Sequence, residues 1–387
     1  MLHTTELTTS AAMKAVRDPW RALALASQHD TPYALPELML PLMERLDGSH
    51  SFRAVAVWDG QTMVGFAPLA QRRIGRLGVG LSMRGFPEIA PAPPCDVLVR
   101  QGVTGVAASL FEHWLADDQW DVIEFANVPP DSSVMSCLAR LAIDAGLLVT
   151  STEGLEYHYV EVTTPWAEYL ASRSKKMRQN LRRGLHYCER FGNLAFPVYP
   201  GDMTLAQAQE RITTVLARSW KNEPAGPQRW NKFPCELAAG LDRADLVSLR
   251  FLDVDGTPAA YLLDVPFKSS IFAVHNAYDL KYHPGNPGQL LLERSIRHAH
   301  DNGIQRYVTG NRDYLRHWSR FTMPTVRMRI LRRGALARAK LAAYDWMHAR
   351  RSKAALHAVE HQKGLRKDSA RVSGKRRSTA REPGTGD

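Results

Sequence analysis

Cysteine is scarce and scattered: Cys95, Cys137, Cys188 and Cys235 are the only four in 387 residues, and no two form a Cys-x-x-Cys pair. That spacing argues against a disulfide framework and a zinc site, and it fits a reducing, cytoplasmic setting. No run of 18 or more apolar residues occurs, so no membrane-spanning helix is expected. The N-terminus lacks the basic flank and apolar core of a signal peptide. Also missing are G-x-x-x-x-G-K-[ST], G-x-G-x-x-G behind a first strand, H-E-x-x-H and G-x-S-x-G. P-loop hydrolysis, Rossmann redox chemistry and metalloprotease action lose their support with them. His298 and His300, two apart on a helical pattern, face different ways, and no metal is expected. Acidic residues are outnumbered 39 to 50, but residues 335–387 hold 13 Lys/Arg against five Asp/Glu, a surplus of +8 out of +11. Basicity is therefore mainly a property of the tail.

What is present reads as a globular α/β chain, 44% hydrophobic with nine tryptophans. Residues 1–17 read as a loose leader. A hairpin follows, with Phe52 to Val57 and Met63 to Ala67 turning at Asp59-Gly60. A Gly/Pro-rich passage, a short strand Asp96 to Val99, a helix from Val103, a strand from Trp120 and a helix from Val134 complete a first half. The second half repeats the order. Tyr157 to Val162 is a strand, two helices run on to Gly192, and another spans Met203 to Trp220. A second hairpin turns at Asp255-Gly256, and further strands lie at Ile271, Ile304 and Val326 to Leu331. The matching punctuation implies an internal duplication. It divides the chain into 18–154 and 155–334, with 335–387 a basic tail that is helical and then disordered.

Within the second half, Ser270 to Phe321 carries the densest chemistry. Period-two alternation places His275, Ala277 and Asp279 on one face of a strand. A Gly/Pro loop follows, Lys281 to Gly288, and then a helix containing Leu291, Leu292, Ile296 and Ala299. Strand, loop and helix start aim backbone N–H groups and a helix dipole at one point, which would suit a diphosphate. A plain chain reversal is the competing reading. His275 or Asp279 beside such a loop is placed to take a proton from an attacking amine, against the alternatives of a packing histidine and a turn former. Tyr314, opening a helix after a core strand, is a candidate donor to a leaving thiolate, or a structural tyrosine. A basic helix contains Arg173, Lys175, Lys176, Arg178, Arg182, Arg183 and Arg190 against Glu189, which suggests an anionic partner beyond an ordinary solvated face. Arg178, Arg182, Trp220 and Lys221 are the candidate substrate-binding residues.

Several of these stretches resemble one family. They are Ser172-Arg173-Ser174-Lys175-Lys176-Met177-Arg178-Gln179-Asn180-Leu181-Arg182-Arg183, Ser219-Trp220-Lys221, Ala277-Tyr278-Asp279 and Pro287-Gly288-Gln289-Leu290-Leu291. With Val64 to Leu69 and Trp120 to Pro129 in the first half, they resemble the CelD-like branch of the GNAT acetyltransferases. That branch is associated with cellulose and exopolysaccharide biosynthesis and is related to the FemAB transferases. The resemblance covers roughly residues 18–333. It implies two tandem GNAT-like modules, each a mixed, largely antiparallel twisted sheet flanked by helices, the second binding acetyl-CoA or another acyl-CoA. It implies that Gly285, Gly288, Gln289 and Leu290 hold the CoA pyrophosphate and that an amine of a small molecule or glycan is acylated without a metal. Two features depart from the family. His275 stands where a Lys often precedes Ala-Tyr-Asp by two residues, and Thr309 stands near a usual acidic position. A FemAB-like transferase using aminoacyl-tRNA, its RNA gripped by the basic helix and tail, is the first alternative. A non-catalytic module at a polysaccharide-synthesis complex or an acidic membrane surface is the second.

Overall fold

In the computed structural model the described residues are 1–45, 50–74, 80–87, 94–219, 221, 232–311, 313–332, 334 and 338–345. The chain divides into two compact units, Met1–Arg73 with Ser82–Arg332, and Ile74–Leu81 with Arg333–Asp387. Of the second, residues 338–345 are helical, and the rest of the tail, with its expected disorder, lies outside the described residues. Among the described residues no helix is long and apolar enough to cross a membrane.

The first unit is a mixed α/β body of three sheets flanked by helices, as the sequence pattern implies. Its first sheet runs Leu2–Leu7, Ala54–Asp59, Thr62–Ala67, Leu98–Val99. The leader expectation therefore fails at its start, because Leu2–Leu7 pairs antiparallel with Ala54–Asp59 over six residues. It is an edge strand whose sequence, Leu-His-Thr-Thr-Glu-Leu, alternates half-buried and exposed residues and offers no apolar run to announce itself. Both expected hairpins form. At the second, Val254 pairs with Thr257, and Asp255 and Gly256 take φ of 46° and 73°. Positive φ at both central positions is the type I′ turn that matches strand twist.

The halves are interlocked. In the sheet of the second half, Tyr157–Glu161 lies between Arg306–Gly310 and Phe321–Met323. In the first half, Val326–Leu331 lies between Val122–Val128 and Leu148–Glu153. Each half thus fills its last slot with the strand that follows its partner's final strand. The expected second domain, 155–334, is corrected accordingly: 326–331 belongs to the first-half sheet. Its Met328 and Ile330 pack into the core built on Trp20, Phe66, Trp114 and Phe125. Trp20 and Phe66 bring their ring centroids to 4.4 Å there. The alternating pattern of 326–331 announces a strand but carries nothing about which sheet receives it.

Candidate active site

The site grows from a hairpin. Thr257–Phe267 turns at Lys268 and Ser269 into Ser270–Tyr278, and the two pair along their length. On its other edge, Ser270–Tyr278 pairs parallel with Arg306–Gly310 only over Ser270 to Phe272. Beyond Phe272 the two strands part, so residues 273–278 have no strand partner on that side among the described residues. A wedge opens between parallel strands, with the Pro287–Asp301 helix beginning near its mouth.

The loop leading to that helix is built by local capping. Asp279 Oδ1 accepts from Lys281 N–H at 2.8 Å and starts the Leu280–Gly285 turn, while Oδ2 lies 3.8 Å from Arg218 Nη1. The Asp279 carboxylate is nearly buried and occupied by these contacts. Asn286, with φ of 49°, reverses the chain into the helix. Gln289 and Leu290 N–H both point at the Asn286 carbonyl, at 2.8 and 3.4 Å, and among the described residues Gly288 N–H takes no acceptor. The four expected phosphate-binding residues therefore differ. Gly288 N–H takes no acceptor among the described residues, and an added Cβ would meet only Tyr278 Cδ1, at 3.8 Å. The Trp318 indole N–H donates to the Gln289 side-chain oxygen at 2.7 Å. Leu290 is core. Gly285 is a packing residue: an added Cβ would meet Cys188 Sγ at 2.7 Å and Tyr187 Cδ1 at 2.9 Å, where the Lys175–Glu189 helix crosses through Gly184.

Along the wedge, Lys221 Nζ donates to Asn276 O at 2.6 Å and lies 3.0 Å from His275 Nε2. On the other side of the ring, His275 Nδ1 is 2.9 Å from Tyr261 Oη, and the two rings stack at 5.7 Å. Burial first, and then the charge of Lys221, push the His275 pKa well below the ordinary histidine value. The ring is therefore neutral, and its two nitrogens sit between an ammonium and a buried phenol. Tyr261 went unnoticed in the sequence. The hairpin register pairs Tyr261 with Ala277 and Leu263 with His275, so Tyr261 and His275 are diagonal cross-strand neighbours, a relation that appears once the turn at 268–269 is fixed.

Arg178 and Arg182 lie on the Lys175–Glu189 helix between two fixed points. Upstream, Arg173 Nη1 donates to Trp318 O at 2.9 Å; downstream, Gly184 touches Gly285. The stretch carrying both arginines therefore passes the first turn of the Pro287–Asp301 helix. Trp220 lies outside the described residues, as does the side chain of Tyr314. Beneath the helix, Asp264 is buried, accepting from Tyr307 Oη at 2.8 Å and from Ser295 Oγ; Arg250 Nε donates to the same Ser295 at 3.1 Å. Burial raises the Asp264 pKa to about 6 against these partners. Among the described residues, no cluster of three or more His, Cys, Asp and Glu side chains has the arrangement to hold a metal.

Residues 175–320 match the family model described as an acetyltransferase (GNAT) domain. The likeness is to GNAT acetyltransferases. Among solved structures, FemX superimposes with a TM-score of 0.53 at 10% identity, covering 84% of this chain and 96% of its own. A conserved protein of unknown function from Bacteroides thetaiotaomicron gives 0.52 at 12%, covering 86% and 100%. The C-terminal domain of a putative lysylphosphatidylglycerol synthetase from Agrobacterium fabrum gives 0.51 at 14%, covering 88% and 96%. At such identities the shared property is the fold. No curated protein matches the sequence. The GNAT-like wedge, the loop and the helix of the second half all fall inside the matched stretch.

Proposed function

We propose that the chain is an acyl-CoA-dependent N-acyltransferase, in the simplest case an N-acetyltransferase, acting on an amine of a small molecule or glycan. The observation that carries this reading is the strand edge at 273–278, without a strand partner among the described residues, running to a helix start whose Gly288 amide takes no acceptor among them. The arm of CoA is an extended chain with two amides, which can pair with such an edge as a strand does. Its diphosphate then falls at the helix entrance, where the dipole and the passing Arg178 favour negative charge. In the transfer, a neutral amine attacks the thioester carbonyl. The C–N bond forms as the C–S bond breaks, the amine gives up a proton and the thiolate departs.

In this reading Lys221 is the electrophile. Its ammonium, fixed by His275 Nε2 and Asn276 O, polarises the carbonyl and stabilises the developing oxyanion. The cation that the family resemblance places at position 275 is thus delivered from the chain beyond the Leu205–Ala217 helix instead. His275 acts by positioning Lys221. With Asp279 held by its cap and Arg218, the amine proton passes to water, and Tyr314 protonates the thiolate. The CelD-like motifs favour an acceptor in polysaccharide or cell-envelope metabolism. A second reading, favoured by the fold shared with FemX, keeps the site but takes its acyl group from aminoacyl-tRNA. Thermal unfolding separates the two. Acetyl-CoA at about 100 times its Kd adds roughly 2.7 kcal/mol of stability to a chain that binds it. A transition unmoved by acetyl-CoA but raised by an aminoacyl-tRNA would replace the first reading with the second.

A further inference from the structure

We propose that the outward face of the Lys175–Glu189 helix is a docking surface for an anionic lipid bilayer. Met177, Gly184 and Cys188 are buried and define the inner stripe of this helix. At about 100° per residue, Lys175, Lys176, Arg182, Arg183 and the following Arg190 share one arc of roughly 120° opposite that stripe. All five are exposed. The single acid of the segment, Glu189, is engaged by His186 Nδ1 at 2.8 Å, and none of the five cations has a carboxylate partner among the described residues. By contrast, Arg17 and Arg21 pair with Glu37, Arg53 with Glu6, Arg211 with Asp253, and Arg306 with Asp30. What sets this face apart is five exposed cations on one helix arc with no carboxylate partner among the described residues.

The helix is about 22 Å long at 1.5 Å per residue, so its charges form a row along one side. At its end two large apolar side chains stand in solvent, Phe191 at 37% and Leu280 at 39% exposure, and Lys281 Nζ lies 5.1 Å from the Phe191 ring centroid. A cationic row ending in exposed apolar groups is the chemistry of a bilayer interface. Single-stranded RNA asks instead for a groove with open aromatic faces. Here the Tyr187 ring is covered by the Arg190 guanidinium at 4.4 Å. The same helix meets the candidate site through Gly184 and Gly285, so docking would hold that loop at the membrane surface. This inference needs no acyl transfer.

Co-sedimentation of the full chain with vesicles tests it, comparing phosphatidylcholine alone with vesicles containing roughly one-third phosphatidylglycerol. Binding only to the anionic vesicles is expected. It should fall roughly 100-fold in K176Q/R183Q/R190Q, at about fivefold per charge, and several-fold in F191S. Thermal unfolding of each variant should match the parent, which separates lost docking from lost folding. Two outcomes overturn the proposal: vesicle binding that the triple variant leaves intact, or a total tRNA preparation bound more tightly than vesicles and released by the same three substitutions.

Discussion

Between Thr62–Ala67 and Leu98–Val99 the first half inserts a further hairpin, whereas the second half passes from Thr257–Phe267 into Ser270–Tyr278 across Lys268 and Ser269 alone. The consequence lies at the wedge. In the first half the edge of Val122–Val128 is taken by the inserted strand Leu81–Gly85, and Phe86 packs on Phe125 with centroids 5.6 Å apart. The helix that corresponds to Pro287–Asp301, Val106–Ala116, drives Val106 toward Gly65, where a Cβ would meet its Cγ1 at 2.2 Å. Gly102 and Gly105, which precede this helix, therefore lead into packed core. In the second half no described strand takes the edge beyond Phe272, and a lysine and a histidine border it. One topology thus serves as a filled scaffold on one side and as a candidate acyl-transfer site on the other, and the difference is whether a strand occupies the gap.

Removing the cation from the open wedge should have the largest effect. Lys221→Met is expected to cut thiol release from acetyl-CoA with an amino-sugar acceptor by about 10²–10³-fold in kcat, leaving the KM for acetyl-CoA near that of the parent. A raised KM for acetyl-CoA with kcat unchanged would mean that Lys221 acts in binding. Next comes Asp264, whose carboxyl titrates at about 6 in the fold against an ordinary 3.8. Between those values the folded chain keeps a proton that the unfolded chain has lost. Its stabilising contribution is therefore complete below about pH 4 and is lost as pH rises through 6. Denaturant titrations should find the parent gaining on D264N by on the order of 2 kcal/mol from pH 7 to pH 4.5. Gly285→Ala crowds Cys188 and Tyr187 and should cost about 1–3 kcal/mol by the same assay, with weaker CoA binding because the loop shifts. The smallest effect belongs to the filled side. Val106→Ala should lose roughly 1 kcal/mol or a little more and leave acetyl-CoA binding unchanged. A change in binding there would erase the contrast between the halves.

Much of this was legible from the chain alone. The Asp-Gly turns, the strand before Tyr278 and the helix after Pro287 follow from local rules acting on neighbouring residues, and the order of elements exposed the duplication. The return of 326–331 to the first-half sheet was not legible, because a strand's period states which side is apolar and not which edge accepts it. The edge strand at Leu2–Leu7 hid behind its threonines. At the site, the residues of 275–290 were singled out by position, but what each of them contacts was not legible. That Gly285 packs, Gln289 binds an indole and Gly288 N–H takes no acceptor among the described residues depends on helices brought in from 175–189 and 313–318. The Lys221–His275–Tyr261 row needs a hairpin register and a segment 54 residues upstream of the histidine, information that no local pattern holds.

The most direct test is calorimetric titration of acetyl-CoA into the parent chain and into Gly288→Asp. The substitution has room, since only Tyr278 lies near, and an acidic residue in a first helical turn is favourable to the fold by about 0.3–1 kcal/mol. One acetyl-CoA per chain is expected for the parent, and a loss of binding of at least roughly 100-fold for the variant at unchanged or slightly raised stability. Undiminished binding to the variant, or two molecules bound per parent chain, would contradict the assignment of a single open wedge in the second half.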